Sequence, residues 1–354
     1  MKSFLIAALV LLMAATSFAS GEFSTGSAEL LTFKGTGYFR FDLYGQEEAN
    51  PENNMSSFFT IDWLPKLNDF VDGKINLELS SNNGNIKLAD MFLNLNFTEN
   101  LSLMGGQFKV PFGYANTRSS SSMYFADRAY ISSVGDYKNY AARDNGICLV
   151  ASFEPVTVDL ALFNGTGNNS VSDNDENNQF AARASVEAAS WITFGGAYTT
   201  IGQPEIEDTT GTTESFRSSG IDVFAVVKYP MGETAKLFFE GEYAMLGRTG
   251  AEEAGMEMTD GSCMSVAAAA EFAVGDGFLR TVRPAVRYDM VNPSTNLAVG
   301  ADEPENNVNV IDFCVAMDLT SSKNTLMLGA RNYGFENEEV DGYTNMYLNW
   351  RMNF

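Results

Sequence analysis

The sequence contains no histidine and few basic residues for its length. Its 354 residues include 22 Lys+Arg and 45 Asp+Glu, which gives a formal net charge of -23 at pH 7. The missing imidazole excludes the serine hydrolases, cysteine proteases and zinc enzymes whose mechanisms depend on histidine. The acidic balance argues against nucleic-acid-binding proteins, which need a basic surface. We therefore expect no enzyme, no catalytic residue, no cofactor, no metal site and no nucleic-acid partner.

Cysteines and long apolar runs are also scarce. The three cysteines are Cys148, Cys263 and Cys314, and an odd number does not predict a disulfide framework. No segment after residue 19 has the 18 or more apolar residues of a transmembrane helix. A β-barrel in a membrane remains possible on these grounds, because its strands need apolar residues only at the outward positions.

The N-terminus has the pattern of an export signal. Lys2 gives a positive start, residues 4–13 are uncharged and mostly apolar, and Ser17-Phe18-Ala19 offers small residues at a cleavage site. We predict cleavage after Ala19. The resulting division is 1–19 as a signal peptide, 20–33 as a periplasmic N-terminal lead-in and 34–354 as an outer-membrane β-barrel.

Hydrophobic residues alternate with polar ones over most of the remaining chain. We read sixteen such runs, the first at about 34–44 and the last at about 343–354. In nearly every run one face carries no charge, and the opposite faces hold nearly all of the charged residues of the runs. A charge that faces mid-bilayer lipid costs roughly 2–4 kcal/mol, so this segregation is expected of a transmembrane barrel. A soluble β protein would alternate too, so alternation alone does not decide between them.

The connections between the runs distinguish a transmembrane barrel from a soluble β protein more clearly. They alternate between short turns and long loops, as in outer-membrane barrels with short periplasmic turns and long external loops. The chain also ends on alternating apolar residues and Phe354, as barrels recognised for insertion do. These features predict an all-β, transmembrane, antiparallel, up-and-down barrel of sixteen strands in the bacterial outer membrane, in contact with its lipid.

The polar parity of the runs identifies candidate residues of the lumen. By this criterion the lumen lining includes Arg183, Lys236, Glu240, Arg283 and Arg287. The four basic residues of this set would then face solutes or ions inside the barrel. The alternative is that each cation only pairs with a nearby carboxylate, as Lys236 would with Glu240.

The fifth run leads into an octapeptide, Gly106 to Gly113 with the sequence GQFKVPFG, and Asp127-Arg128-Ala129 follows it. This segment resembles the phosphate-selective porins of the O and P type, and the likeness extends from about Lys34 to Phe354. The resemblance implies a sixteen-stranded homotrimer whose third external loop folds inward and narrows the pore. It also implies passage of phosphate or other anions past lumenal arginines and lysines.

The longest connection, 111–143, is the candidate constriction. It holds four basic residues against Asp127 and Asp136, a local balance of +2 in a strongly acidic chain. We expect the pore constriction to comprise Lys109, Arg118, Asp127, Arg128 and Arg143. The proposed function at this stage is passive diffusion of small hydrophilic solutes, anions such as phosphate among them.

The other external loops depart from the family's basic character. Six of them (45–54, 165–177, 201–217, 247–260, 292–307 and 335–342) contain 21 Asp+Glu and only two basic residues. Carboxylates at a pore mouth favour cations. A cation-preferring general porin is therefore one alternative, and a structural or adhesive barrel with acidic external loops is another.

Overall fold

The structure is a computed structural model of the whole chain. It describes residues 32–45, 54–81, 86–133, 135–170, 178–202, 206–207, 213–214, 217–249, 256–258, 261–292, 296–298, 307–320, 324–336 and 342–353. The predicted signal peptide, nearly all of the predicted lead-in, most of the acidic external loops and Phe354 lie outside these residues.

Sixteen antiparallel strands form one closed barrel in chain order. The strands are β1 Phe33–Gly45, β2 Asn54–Trp63, β3 Val71–Ser80, β4 Ile86–Thr98, β5 Leu101–Lys109, β6 Arg143–Phe153, β7 Val156–Phe163, β8 Gln179–Ala189, β9 Ile192–Gly202, β10 Arg217–Met231, β11 Ala235–Thr249, β12 Gly261–Ala273, β13 Leu279–Asn292, β14 Val308–Leu319, β15 Asn324–Phe335 and β16 Tyr343–Asn353. The barrel closes where β1 pairs with β16, from Thr36 opposite Asn353 to Gly45 opposite Thr344. The predicted sixteen-stranded barrel is confirmed.

Two short strand pairs lie outside the barrel sheet. Ile206–Glu207 pairs with Thr213–Glu214, and Met256–Met258 pairs with Asn296–Ala298. All four segments belong to the connections predicted as long external loops. In the part of the chain that the structure describes, no helix is both long and apolar enough to cross a bilayer.

The polarity of the barrel is the reverse of that of a soluble protein. Large apolar side chains are exposed on the outer face, with Leu93 at 54%, Phe239 at 49% and Phe313 at 57%. Charged side chains are buried on the inner face, where Asp289 and Asp312 are both 0% exposed. Water does not favour such an arrangement, whereas lipid outside and a polar interior do. The alternation in the sequence therefore describes lipid-facing and lumen-facing sides.

The connection from β5 to β6, residues 110–142, has regular structure of its own. It contains the helices α1 Tyr114–Thr117 and α2 Gly135–Tyr140, with 3-10 turns at Ser120–Ser122 and Tyr130–Ser133. Its apolar residues belong to two clusters. The first cluster includes Val110, Phe112, Ile131, Tyr137 and Tyr140, and the second includes Tyr124, Phe125 and Phe238. Residues 110–142 are therefore packed rather than projecting freely.

Two glycines of the octapeptide permit this packing. Gly106 has φ 133°, and a Cβ there would lie 2.3 Å from the carbonyl oxygen of Met91. Gly113 has φ 75°, and a Cβ there would lie 2.1 Å from the Tyr137 hydroxyl. Side-chain-bearing residues rarely adopt such φ values, and neither position has space for a methyl group. The octapeptide thus sets the path by which the chain leaves β5.

Candidate functional site

Asp127 links the 110–142 connection to strands far from β5 and β6. One carboxylate oxygen accepts from Arg40 Nη1 in β1 at 2.5 Å, and the other lies 3.2 Å from Arg331 Nη1 in β15. Burial would raise the pKa of Asp127, but Arg331 and Arg40 outweigh it and hold that pKa below its ordinary value. The carboxylate is therefore charged at neutral pH and bridges two strands.

Two further arginines bind backbone carbonyls of the same segment. Arg287 in β13 donates to the carbonyl oxygens of Asp127 at 3.1 Å and Arg128 at 3.0 Å. Arg351 in β16 donates to the carbonyl oxygen of Ser120 at 2.5 Å and, more weakly, to those of two later residues. Arg287 is 5% exposed and also lies 2.9 Å from Asp312. These arginines fix the path of the segment rather than offering free charge.

Strand β11 holds the other end of the segment through two glutamates. Glu242 accepts from the Ala115 amide at 2.7 Å and from the Tyr137 hydroxyl. Glu240 forms an ion pair with Arg118. Residues 110–142 thus contact side chains of β1, β11, β13, β15 and β16.

A large cavity lies between this segment and the wall formed by β1 to β6 and β16. Its volume is about 970 Å³. Six basic and four acidic residues line it. They are Lys34, Lys74, Lys109, Arg128, Arg143 and Arg351, and Asp62, Glu78, Asp90 and Asp127. The cavity is therefore basic by two charges, in a chain whose net charge is -23.

The acidic residues of the cavity already have cationic partners. Asp90 lies 2.6 Å from Arg143 and 3.1 Å from Lys74, and Lys74 also lies 3.2 Å from Asp62. Glu78 lies 3.4 Å from Arg143. These ion pairs neutralise much of the charge on this wall. The net charge of the cavity therefore depends on the residues that have no ion pair.

Lys109 and Arg128 are two cations of the cavity lining that have no ion pair in the part of the chain that the structure describes, and Arg351 is another. Among the described residues, neither Lys109 nor Arg128 has a carboxylate within 4.0 Å. Lys109 donates to the carbonyl oxygen of Asn116, and Arg128 Nη1 donates to the carbonyl oxygens of Ala115 at 2.9 Å and Arg118 at 2.5 Å. Burial and the charge of Arg143 lower the pKa of Arg128 to about 10, which still leaves it protonated at neutral pH. Arg128 therefore presents a full positive charge to the cavity.

The structure brings together four of the five residues predicted at the constriction. Lys109, Asp127, Arg128 and Arg143 line the 970 Å³ cavity. Arg118 does not, because its ion pair with Glu240 directs it to a separate cavity of about 30 Å³ beneath the segment. Arg143 also belongs to β6 rather than to the connection.

Most of the residues predicted to line the lumen form ion pairs or ring contacts with neighbouring side chains. Arg183 lies 4.0 Å from Asp159 and over the Phe224 ring, and Arg283 lies 2.5 Å from Asp318. The suggested pair of Lys236 with Glu240 is wrong, since Lys236 lies 3.3 Å from Glu271 instead. Lys236 and Glu271 are directly opposite each other on β11 and β12, whereas residues four apart in one strand are separated by about 13 Å.

Sequence reasoning missed the residues that anchor the segment. Arg40, Arg331 and Arg351 carry that role together with Arg287. Their polar parity placed them on the inner face, but only the three-dimensional pairing shows that they bind residues 110–142. No three His, Cys, Asp or Glu side chains within the described ranges are placed to hold a metal ion.

Comparison with protein families gives one match. The profile described as "Phosphate-selective porin O and P" matches residues 40–254, which is more than half of the chain. The matched region includes the octapeptide, the 110–142 segment and most of the cavity wall. A comparison with curated proteins finds no match.

Solved structures show the same fold at low sequence identity. The outer membrane channel DcaP of Acinetobacter baumannii has a TM-score of 0.63 at 12% identity, with 94% of this chain and 99% of that chain covered. An anion-selective porin from Comamonas acidovorans gives 0.61 at 13%, covering 93% and 99%. OmpT of Vibrio cholerae, in a trimer form, gives 0.59 at 14%, covering 93% and 100%. At these identities the likeness establishes the barrel architecture alone.

Proposed function

The chain belongs to the phosphate-selective porin O and P family of the bacterial outer membrane, and from this premise we propose that it passes small anions, phosphate among them, by passive diffusion. Residues 110–142 narrow the passage in this proposal, and the 970 Å³ cavity is part of the route. The process needs neither a cofactor nor a chemical step. Selectivity depends on the width of the passage and the fixed charges at its narrowest part.

The observation that carries the proposal is the charge of the cavity lining. Six basic residues face four acidic ones, and Lys109 and Arg128 have no carboxylate within ion-pair distance in the described part of the chain. A low-dielectric wall strengthens the effect of such charges on a permeating ion. Guanidinium groups also bind phosphate oxygens well, which supports phosphate as one of the solutes.

The test is flux through the purified protein in liposomes. We expect radiolabelled phosphate to enter faster than a cation of similar size, and Arg128→Ala or Lys109→Ala to slow phosphate entry several-fold. Lys138→Ala is the matched control, since Lys138 is an exposed cation of the same segment and does not line the cavity. Its flux should equal that of the unmodified protein.

Two other results would favour one of the alternative functions over this proposal. Faster entry of cations, with no effect of Arg128→Ala, would favour the cation-preferring porin that the acidic external loops suggest. Absence of any flux in correctly inserted protein would favour a structural or adhesive barrel. Each rival thus has its own signature in the same experiment.

We also propose that the barrel assembles as a homotrimer after removal of residues 1–19. The trimer form of the OmpT structure and the family support the first part, and the pattern ending at Ala19 supports the second. Light scattering of the detergent-solubilised protein should give three chains per particle. N-terminal sequencing of protein from the outer membrane should begin at Ser20.

A further inference from the structure

An aromatic pair on the wall of the large cavity belongs to neither hydrophobic cluster. Tyr38 in β1 and Phe58 in β2 are opposite each other in the ladder, and their rings stack with centroids 5.1 Å apart and 19° between planes. Both side chains line the cavity and are half-buried. Neither packs in the clusters that hold residues 110–142.

Several other inward-facing aromatic rings of the described residues pack against residues 110–142 or lie in the first cluster. Phe224 stacks on Tyr114 with centroids 5.0 Å apart, and Phe238 packs on Tyr124 at 4.5 Å. Phe108 and Phe163 are buried in the first cluster. Those rings hold residues 110–142 or the β5 end of the segment in place. The Tyr38–Phe58 pair has no such structural role, so its exposure to the cavity calls for another explanation.

The surroundings of the pair are polar and carry charges of both signs. The Tyr38 hydroxyl has no hydrogen-bond partner among the residues that the structure describes. Asn349 lines the same cavity, and its side-chain oxygen is buried without a hydrogen-bond partner. Lys109 and Arg128 line the cavity as well. A flat apolar surface, free polar groups and uncompensated cations therefore share one space of about 970 Å³.

We infer that the pore contains a subsite for aromatic carboxylates, in which the Tyr38–Phe58 pair contacts the ring of the solute and Lys109 and Arg128 attract its carboxylate. This inference rests on the proposed function, because it requires an anion-conducting pore. Inorganic anions gain nothing from an aromatic surface, since they have no apolar face to desolvate. A flat organic anion gains from both parts of the site, because stacked or edge-on ring contacts add to the charge attraction. The cavity volume lies within the range of small-molecule sites.

The inference gives Tyr38 a second contribution. Its hydroxyl is a free hydrogen-bond donor at the edge of the aromatic surface, and a carboxylate or ring substituent would accept from it. Asp127 is held by Arg40 and Arg331 and Asp90 by Arg143, so these carboxylates are compensated and repel the solute less.

The test is block of the chloride current through single channels in planar bilayers. Benzoate is compared with cyclohexanecarboxylate, which has the same charge and a similar size without an aromatic ring. We expect benzoate to half-block the unmodified channel at a concentration about three- to tenfold lower. Phe58→Ser should abolish that difference while leaving a conducting channel.

Controls separate the aromatic pair from general effects. Phe335→Ser is the matched variant, because Phe335 shares the face of Arg331, is half-buried and does not line the cavity. It should keep the preference for benzoate. Phe58→Leu keeps an apolar side chain and should lose most of the preference, which decides the case if the serine variant fails to insert.

The failure of the inference is distinguishable from failure of the proposed function. Equal half-block by benzoate and cyclohexanecarboxylate in an anion-selective unmodified channel would overturn the aromatic subsite and leave the porin function intact. A preference retained in both Phe58 variants would also overturn it. A channel that conducts no anions would contradict the proposed function itself.

Discussion

At the scale of single residues, Asp127 connects the 110–142 segment to two strands of the barrel. It bridges Arg40 and Arg331, which stand in β1 and β15, while Arg287 binds the carbonyl oxygen of the same residue. Its side chain keeps 33% of its surface exposed, so its ion pairs are weaker than fully buried ones. The carboxylate still pairs with two arginines. Without it, the positive charges of Arg40 and Arg331 have less negative charge nearby.

We predict that Asp127→Asn destabilises the protein by about 1–3 kcal/mol and makes the channel noisier. The free energy of unfolding in detergent and single-channel current fluctuations measure the two effects. Asp69→Asn is the control, because Asp69 pairs with Lys66 in an exposed position and is 99% exposed. Asp69→Asn should change neither the stability nor the current fluctuations. Equal effects in the two variants would show that the ion pairs of Asp127 do not stabilise the segment.

The same carboxylate predicts a dependence on pH. Its pKa in the folded protein lies below the ordinary value of 3.8, so its contribution to stability is present above that value. The contribution is lost as the pH falls through the lower, folded pKa. We expect the stability difference between the unmodified protein and Asp127→Asn to be constant near neutral pH and to shrink as the pH falls below 3.8. A difference that persisted in strong acid would contradict this origin.

At the scale of elements, the 110–142 segment depends on the backbone of the octapeptide. Gly113 and Gly232 both have φ 75°, but a Cβ on Gly113 would clash with the Tyr137 hydroxyl, whereas nothing lies within 4 Å of one on Gly232. Gly232 is in the turn between β10 and β11. The two positions therefore have the same backbone φ, but only Gly113 lacks room for a Cβ atom.

We predict that Gly113→Ala costs clearly more than Gly232→Ala. The control should lose about 1–2 kcal/mol through its left-handed backbone alone. Gly113→Ala must also displace Tyr137, which donates to Glu242, and should therefore change the conductance as well. Unfolding free energies and single-channel conductance provide the comparison. Equal losses with unchanged conductance would show that the contact with Tyr137 does not shape the pore.

The sequence predicts the strands well and the contacts of the segment poorly. Alternation identifies which face of β11 is polar, because the period of two is a local property of the chain. It does not identify the partner of Glu240, which is Arg118 at a separation of 122 residues. Nor does it distinguish Phe58 from Phe238, since both are inward-facing phenylalanines and only the packing of residues 110–142 covers one of them. Pairings that depend on barrel closure and on one long connection require the structure.

At the scale of the whole molecule, the exposed apolar face and the charged interior define a barrel in lipid. A charge placed on the outer face near mid-membrane should cost about 2–4 kcal/mol. We predict this loss for Leu93→Arg, since Leu93 is near the middle of β4 and 54% exposed. The fraction that inserts into vesicles at increasing urea concentration measures it.

The neighbouring position provides the control for that substitution. Asn94 is on the opposite face of β4 and donates to Asp72 at 2.7 Å. Asn94→Arg places the same charge beside a carboxylate and should insert almost as well as the unmodified protein. Equal loss in both variants would contradict the assignment of the outer face to lipid.

The central claim is that uncompensated cations on the wall of the large cavity make this barrel an anion-preferring channel. The zero-current potential across a gradient of potassium chloride tests it most directly, because its sign reports which ion carries the current. We expect the sign of chloride preference, and a shift towards zero in the double variant Lys109→Ala/Arg128→Ala. A potential of the opposite sign, or one that the double variant leaves unchanged, would contradict it.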